Sequence, residues 1–138
     1  MADGYALATQ VGIRSALSAN SGVTDIVGVR IYDEPPQPVA FPYIKFGDVI
    51  PEAFDTDNTE GAEVTIALEA HSQSASGRVE AVQMVEAIKD ALHRKETLIT
   101  IAGFNLVELI FERFYVTRNT EGRGYDAVIL LQATIETP

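Results

Sequence analysis

The chain has 138 residues, of which 46% are apolar and 22% charged, a composition typical of a folded domain and not of a disordered or fibrous chain. Twenty Asp and Glu against ten Lys and Arg give a formal charge of -10, which opposes binding to phosphate. The absence of cysteine excludes disulfides and thiolate metal sites, and no export signal or membrane-length apolar run is present. We therefore expect one domain over residues 1–138, with no membrane partner.

Helical periodicity and prolines define the first third of the chain. Apolar side chains recur at helical spacing over residues 4–19 and predict a helix there. A short apolar turn over residues 23–27 leads towards a loop whose prolines, over residues 35–41, forbid regular structure. Residues 43–49 then predict a strand, which we expect Pro51 to close.

The clearest pattern is a strict alternation of apolar and polar residues, which predicts a half-buried strand. Its apolar face comprises Ala62, Val64, Ile66, Leu68 and Ala70. The period then becomes helical over residues 77–93, with apolar side chains on one side and acids on the other. We expect this helix to cover one face of a sheet.

The last third predicts three strands, over residues 98–101, 104–117 and 125–135. The middle one is apolar on both faces, so it is either sandwiched in the core or in contact with another subunit. The predicted fold class is α+β: a mixed or antiparallel sheet of about five strands, with two main helices packed mainly on one face.

The candidate catalytic residues lack partners in the sequence. His71 lies at the end of a strand and His93 at the end of a helix, positions that favour structural roles. Ser72 is not part of a Gly-x-Ser-x-Gly turn, and no base or orienting acid is indicated for it. We therefore predict no catalytic residue and a chain that is not an enzyme.

Metal, nucleotide and nucleic-acid signatures also fail. The run that begins at Asp55 has acids at the first and third positions of a calcium loop, but Glu60 replaces the required glycine and Ile66 the bidentate acid. No glycine-rich phosphate loop exists, and the basic residues are scattered. We predict no cofactor and no metal.

The order of several short segments carries a family resemblance. Along the chain these segments are an N-terminal helix, Val27-Gly-Val-Arg-Ile-Tyr-Asp33, a proline loop, Phe41-Pro-Tyr-Ile44, Asp55-x-Asp57, Gly61-Ala-Glu63, and His71-Ser72 followed by Gly77. In this order they resemble the tail-terminator proteins of long-tailed bacteriophages and gene transfer agents, also called tail-completion or head-to-tail joining proteins. The chain departs from that pattern at His71, where relatives often carry tryptophan.

The resemblance implies a structural virion protein whose six copies form a ring. The ring would cap the tail-tube protein, stop its polymerisation and join the tail to the head connector or stopper protein. DNA would pass through the ring without specific binding. The implied location is the neck of the particle, assembled in the cytoplasm of a bacterial host.

Two surfaces become candidates under this interpretation. Seven acids between Lys45 and Arg78 have no base among them, and carboxylates in a channel would repel the phosphates of DNA. The candidate lumen or tube-contact loop contains Glu52, Asp55, Asp57 and Glu60. The candidate subunit interface contains Arg30, Tyr32, Phe41, Val107, Leu109 and Phe111, and core packing is the alternative explanation for its last three residues.

Other functions stay open from the sequence. The chain is alternatively another neck component, either a connector or a stopper. A different class is a small ligand-binding or hydrolytic α+β domain whose site would be assembled from Tyr32, His71 and Ser72.

Overall fold

The computed structural model describes residues 4–55, 60–74, 77–119 and 124–138. Its helices are α1 (Tyr5–Ser18), α2 (Ser21–Val27) and α3 (Val79–Leu92). Its strands are β1 (Ile31–Tyr32), β2 (Tyr43–Asp55), β3 (Glu60–Ser72), β4 (Asn105–Arg118) and β5 (Tyr125–Glu136). The five strands form one sheet in the order β1-β2-β3-β5-β4, in which only the β1-β2 pair is parallel. The predicted α+β class is confirmed.

The core lies between the helices and one face of the sheet. The five alternating apolar residues of β3, from Ala62 to Ala70, are all 0% exposed, as their period predicts. They pair with an equally buried set on β5, from Ala127 to Ile135, and α3 packs over both strands. Helix α1 contacts β2 and β3 on the same side. Burial of these apolar faces drives the assembly of the sheet and the helices into one core.

Strand β4 follows a different alternation from the predicted one. Its register shifts between Leu106 and Glu108, and again between Phe111 and Arg113. Each of these bulges inserts a residue and moves the following side chains to the other face. As a result Leu109 joins the core at 1% exposure, instead of sharing a face with Val107.

Three predicted boundaries were wrong. Residues 21–27 form the helix α2 and not a turn, because the Asn20 Oδ1 accepts a hydrogen bond from the Val23 N–H at 3.2 Å and caps the helix. Residues 98–101 form no strand, only an isolated bridge between Ile101 and Phe104. Strand β2 continues through Pro51 to Asp55.

The outer side of β2 explains why Pro51 does not end it. Strand β1 pairs only with Ile44 and Lys45, so it leaves the rest of that side without a strand. The Ile44 N–H points outward to the Arg30 carbonyl, and the bulge after Phe46 shifts the alternation so that the nitrogen of Pro51 also points outward. A proline is tolerated there because no ladder hydrogen bond is lost. In the described ranges no helix combines the length and hydropathy needed to cross a membrane.

Gly12 allows the closest approach of α1 to the rest of the chain. A Cβ at this position would lie 2.7 Å from the Thr100 carbonyl oxygen and 2.6 Å from the Ile101 Cδ1. A carbonyl oxygen in a packed turn cannot move aside as a flexible side chain does. Glycine at position 12 therefore fixes how α1 packs against residues 100–101.

We expect Gly12→Ala to destabilise the fold by about 1–3 kcal/mol through overpacking, although alanine normally stabilises a helix by ~1 kcal/mol relative to glycine. The measurement is urea unfolding followed by circular dichroism. Ser15→Ala is the matched control, since Ser15 is exposed on the same helix beside the same groove. A Gly12→Ala variant as stable as the wild type would contradict the packing argument.

Candidate functional site

One face of the sheet carries no helix in the described part of the chain. We call it the bare face and define it by alternate β3 residues (Gly61, Glu63, Thr65, Ala67, Glu69 and His71) together with the residues paired with them across the sheet. Its side chains are half-buried or exposed along β3, in contrast to the fully buried opposite face. Because the bare face extends along the whole of β3 and has no helix over it, it is the first candidate for contact with other molecules.

Carboxylates are concentrated at one end of the bare face. Glu52 lies directly opposite Glu63 in the β2–β3 pair, and both are exposed. Glu136 pairs with Gly61, and Glu108 lies on β4 at the same end. Like charges directly opposite each other disfavour strand pairing, so the fold tolerates this acidic end and does not benefit from it.

The other end of the bare face holds a charged and aromatic cluster around His71. Its Nδ1 lies 2.7 Å from the Asp126 Oδ1 and its Nε2 lies 2.9 Å from the Glu69 Oε1. Each ring nitrogen of His71 therefore faces a carboxylate oxygen at hydrogen-bond distance. The ring also stacks on Tyr43 with centroids 4.7 Å apart. His71 therefore crosslinks β2, β3 and β5.

Tyr43 is held in its neutral form by these surroundings. Burial of its ring is the main reason that the pKa of Tyr43 is raised, and the negative charges of Asp126 and Glu69 add to the effect. Tyr32 and Phe41 pack on the same ring, with centroids 6.0 and 5.1 Å away. The cluster is thus closed by aromatic side chains on the side of the proline-containing loop.

Of the three residues of the hydrolytic alternative, Tyr32 and His71 both pack on the Tyr43 ring, but Ser72 lies on the other face of the sheet. His71 and Ser72 are neighbours on a strand, so their side chains point to opposite faces of the sheet. The Ser72 Oγ donates a hydrogen bond to the Glu80 Oε1 at 2.7 Å and accepts one from the Ser74 N–H. Ser72 therefore joins β3 to the start of α3, and no serine–histidine pair is formed. Within the described ranges, no cluster of acidic or histidine side chains is arranged to hold a metal ion.

The predicted lumen acids are only partly described. Glu52 is exposed in β2 and not in a loop, and Glu60 is the first residue of β3. The backbone of Asp55 pairs with Glu60. The side chain of Asp55 and the whole of Asp57 lie outside the described residues. The acidic stretch is thus largely the end of a two-stranded hairpin.

The predicted interface residues separate into two groups on opposite edges of the sheet. Arg30 donates from its Nε to the Pro42 carbonyl at 2.7 Å, close to Tyr32 and Phe41 at the β1 edge. The other group lies on β4, where Val107 is 50% exposed, Leu109 is buried in the core and Phe111 is half-buried. Leu109 therefore contributes no side-chain surface.

The first half of the outer edge of β4 is capped by the segment that follows α3. The Leu109 N–H donates to the Glu96 Oε2 at 2.9 Å, and the Phe111 N–H donates to the His93 Nδ1 at 3.0 Å. The Arg94 N–H in turn donates to the Leu109 carbonyl at 2.9 Å. These contacts satisfy backbone groups that an edge strand otherwise leaves open. No local sequence pattern indicates this role for Glu96 or His93.

The pKa of the Glu96 carboxyl is lowered mainly by the hydrogen bond from the Leu109 N–H. A carboxyl whose folded pKa lies below its unfolded value adds stability at neutral pH. That stability is lost as the pH falls below about 4 and through the lowered folded pKa.

We expect Glu96→Gln to lower the free energy of unfolding by about 1 kcal/mol at pH 7, because the charged acceptor of the Leu109 N–H is replaced by a weaker neutral one. The difference from wild type should shrink as the pH falls below the ordinary pKa of a glutamate and through the lowered folded pKa, because the wild-type carboxyl then also loses its charge. Urea unfolding at a series of pH values from 7 downwards measures this. Glu108→Gln is the control, because Glu108 also pairs with Arg94 but caps no backbone group; equal effects of the two variants would refute the capping role.

The described residues thus form an α+β fold with one sheet, helices on a single side and an exposed acidic end on the opposite face. A family model described as tail completion protein gp17 matches residues 11–136. The chain therefore belongs to the tail completion protein gp17 family, and its role is structural, in the completion of a tail.

Two solved structures share the fold. A chain of the virion of a native gene transfer agent particle is 23% identical, with 97% of this chain and 98% of that chain covered and a TM-score of 0.86. The gp17 protein of bacteriophage SPP1 is 20% identical, with 94% and 89% covered and a TM-score of 0.60. No curated protein sequence gives a significant match.

Proposed function

We propose that the chain is a tail terminator: six copies form a ring that caps the tail tube, stops its polymerisation and joins it to the head connector. Membership of the tail completion family is the observation that carries this proposal. The likeness to a chain of a gene transfer agent virion, over nearly the full length of both chains, supports it with a fold seen in an assembled particle.

The bare face is the surface best suited to line the channel. Its acidic end, with Glu52, Glu63, Glu108 and Glu136, presents charge of the same sign as DNA. A surface of this kind repels phosphate and leaves a passing duplex without a binding site. The helices then lie on the outside of the ring, where they are available to contact other neck proteins.

Removal of the chain from a particle-producing strain tests termination. We expect tubes of uncontrolled length and heads without tails, because nothing caps the growing tube. Electron microscopy of lysates measures tube length and the fraction of joined particles, and expression of the wild-type chain in trans is the control. Tubes of normal length that fail to join heads would instead identify a connector or stopper, and normal joined particles would exclude a role in tail completion.

Neutralisation of the acidic end tests the channel. The variant Glu52→Gln/Glu63→Gln/Glu136→Gln should yield joined particles that deliver DNA several-fold less efficiently, since phosphate is no longer repelled. The matched control is Asp25→Asn/Glu86→Gln/Asp90→Asn, which removes the same charge from exposed positions on α2 and α3. Delivery per joined particle is the measurement. Equal delivery by the two variants would show that the bare face does not line the channel.

A further inference from the structure

We propose that neighbouring copies in the ring meet edge to edge, with the second half of β4 of one copy antiparallel to the β1 edge of the next, and with Arg113 facing Asp33 and Glu34. The occupant of this edge is thus a second copy of the chain. The inference rests on the proposed ring and names the surfaces that close it.

The second half of β4 is an open strand edge. The N–H groups of Leu109 and Phe111 point away from β5 and are capped. N–H directions alternate along a strand, and the extra residue at the Glu112 bulge shifts this alternation by one position. The N–H groups of Phe114 and Val116 therefore also point away from β5. No described residue outside the β4–β5 pair donates to or accepts from these two backbone positions. An unpaired edge of this kind is a template for pairing with another chain.

Apolar surface is exposed at the same place. Phe114 is 43% exposed and Tyr115 is 52% exposed, on the two faces of the strand. Edge strands of proteins that remain monomeric are normally short, charged or covered. The opposite edge of the sheet shows such protection along β2, where Pro51 removes a donor from the outer side. The second half of β4 begins with a bulge and carries the charge of Arg113, but within the described chain it has no proline and no covering segment.

Strand register places the β1 edge at the same height along the sheet as this open segment. One row of paired residues crosses the whole sheet from β4 to β1. In this order its members are Tyr115, Val128, Glu69, Lys45 and Tyr32. The two ends of the sheet are therefore level at this row. Neighbouring copies can then be related by rotation alone about an axis along the strands, with no shift along that axis. A head-to-tail contact closes into a ring only under this condition.

Strand direction also fits. Strand β1 is parallel to β2, and three antiparallel pairings separate β2 from β4, so β4 runs opposite to β1. Rotation about an axis along the strands preserves these directions. The open edge of one copy therefore approaches the β1 edge of the next in the antiparallel sense, which is the better-bonded arrangement.

Charges are complementary two rows further along the sheet. Arg113 pairs with Leu130 and thus lies at the height of Ala67, near the β2 bulge. Asp33 and Glu34 follow β1 and line a shallow trough on the bare face, together with the residues of that bulge and, across the sheet, Tyr115. Arg113 and Glu34 are exposed and make no hydrogen bond or ion pair with any described residue. Opposite charges at matching heights fix the register between two surfaces.

The resulting ring has a suitable opening. Six sheets of five strands, at about 4.8 Å per strand, give a circumference of roughly 144 Å and a backbone diameter of about 46 Å. Inward side chains occupy about 5 Å on each side, half the spacing of packed sheets, which leaves about 36 Å. A duplex, whose two grooves are together about 16 Å deep, passes through such a ring.

A charge exchange tests the contact. Arg113→Glu and Glu34→Arg should each weaken every contact in the ring about tenfold or more, because like charges then face each other. Arg113→Glu/Glu34→Arg should restore joined particles when expressed in the strain that lacks the chain. The fraction of joined particles is the measurement. Failure of the double variant to recover beyond either single variant, while both singles remain folded by circular dichroism, would overturn the pairing.

A disulfide tests the geometry directly, because the chain has no cysteine of its own. In Glu34→Cys/Arg113→Cys the two positions are separated within one copy by β2, β3 and β5, and a bond inside one copy would leave only single chains on the gel. Oxidation of purified particles should therefore give a ladder of up to six linked copies on a non-reducing gel. Glu34→Cys/Val107→Cys is the control, since Val107 is similarly exposed but lies in the other half of β4.

The outcomes separate this inference from the proposed function. Joined particles with six-fold rings would support the terminator role in either case. The edge contact would be overturned if such particles gave no ladder, or if the control variant gave an equal ladder. Loss of the terminator phenotype in the deletion experiment would overturn the ring itself. A ladder specific to the Arg113 variant would support the contact.

Discussion

The antiparallel pair of β3 and β5 organises the whole fold, because its alternating apolar residues are buried under helices on one side only. From Ala62 to Ala70 and from Ala127 to Ile135, each inward side chain is excluded from water. Apolar surface on one face of a sheet must be covered, whereas a mixed polar face tolerates solvent. This asymmetry fixes the helices on one side and leaves the opposite face exposed or half-buried in the described chain, which is the face that we propose lines the channel.

The two edges of the sheet are managed in different ways, and the difference determines where assembly contacts are possible. Residues 93–96 supply a side-chain carboxylate, an imidazole nitrogen and a backbone N–H that together cap the middle of β4. Pro51 removes a donor from the outer side of β2. These features prevent unwanted pairing with other strands at the middle of β4 and along β2. In the described part of the chain, the second half of β4 has neither a proline nor a covering segment.

Periodicity made the helices α1 and α3 and the strands β3 and β5 predictable, because burial on one side leaves a regular apolar pattern. It failed on β4, since the bulges near Val107 and Glu112 shift the alternation and have no sequence signature of their own. The family was predictable from the order of short segments, which the match over residues 11–136 confirms. The cap by His93 and Glu96 depends on contacts between separate segments, so no local pattern announced it.

The positions of the bulges have a mechanical consequence. They occur on β2 and β4, while the central strands β3 and β5 are regular along their whole length. Since a bulge bends its strand and increases its local twist, the sheet curves more strongly at these outer strands than along its central pair. In the ring that we propose, these bends lie next to the contacts between neighbouring copies, so they set the curvature of the ring and leave the buried core of β3 and β5 unchanged.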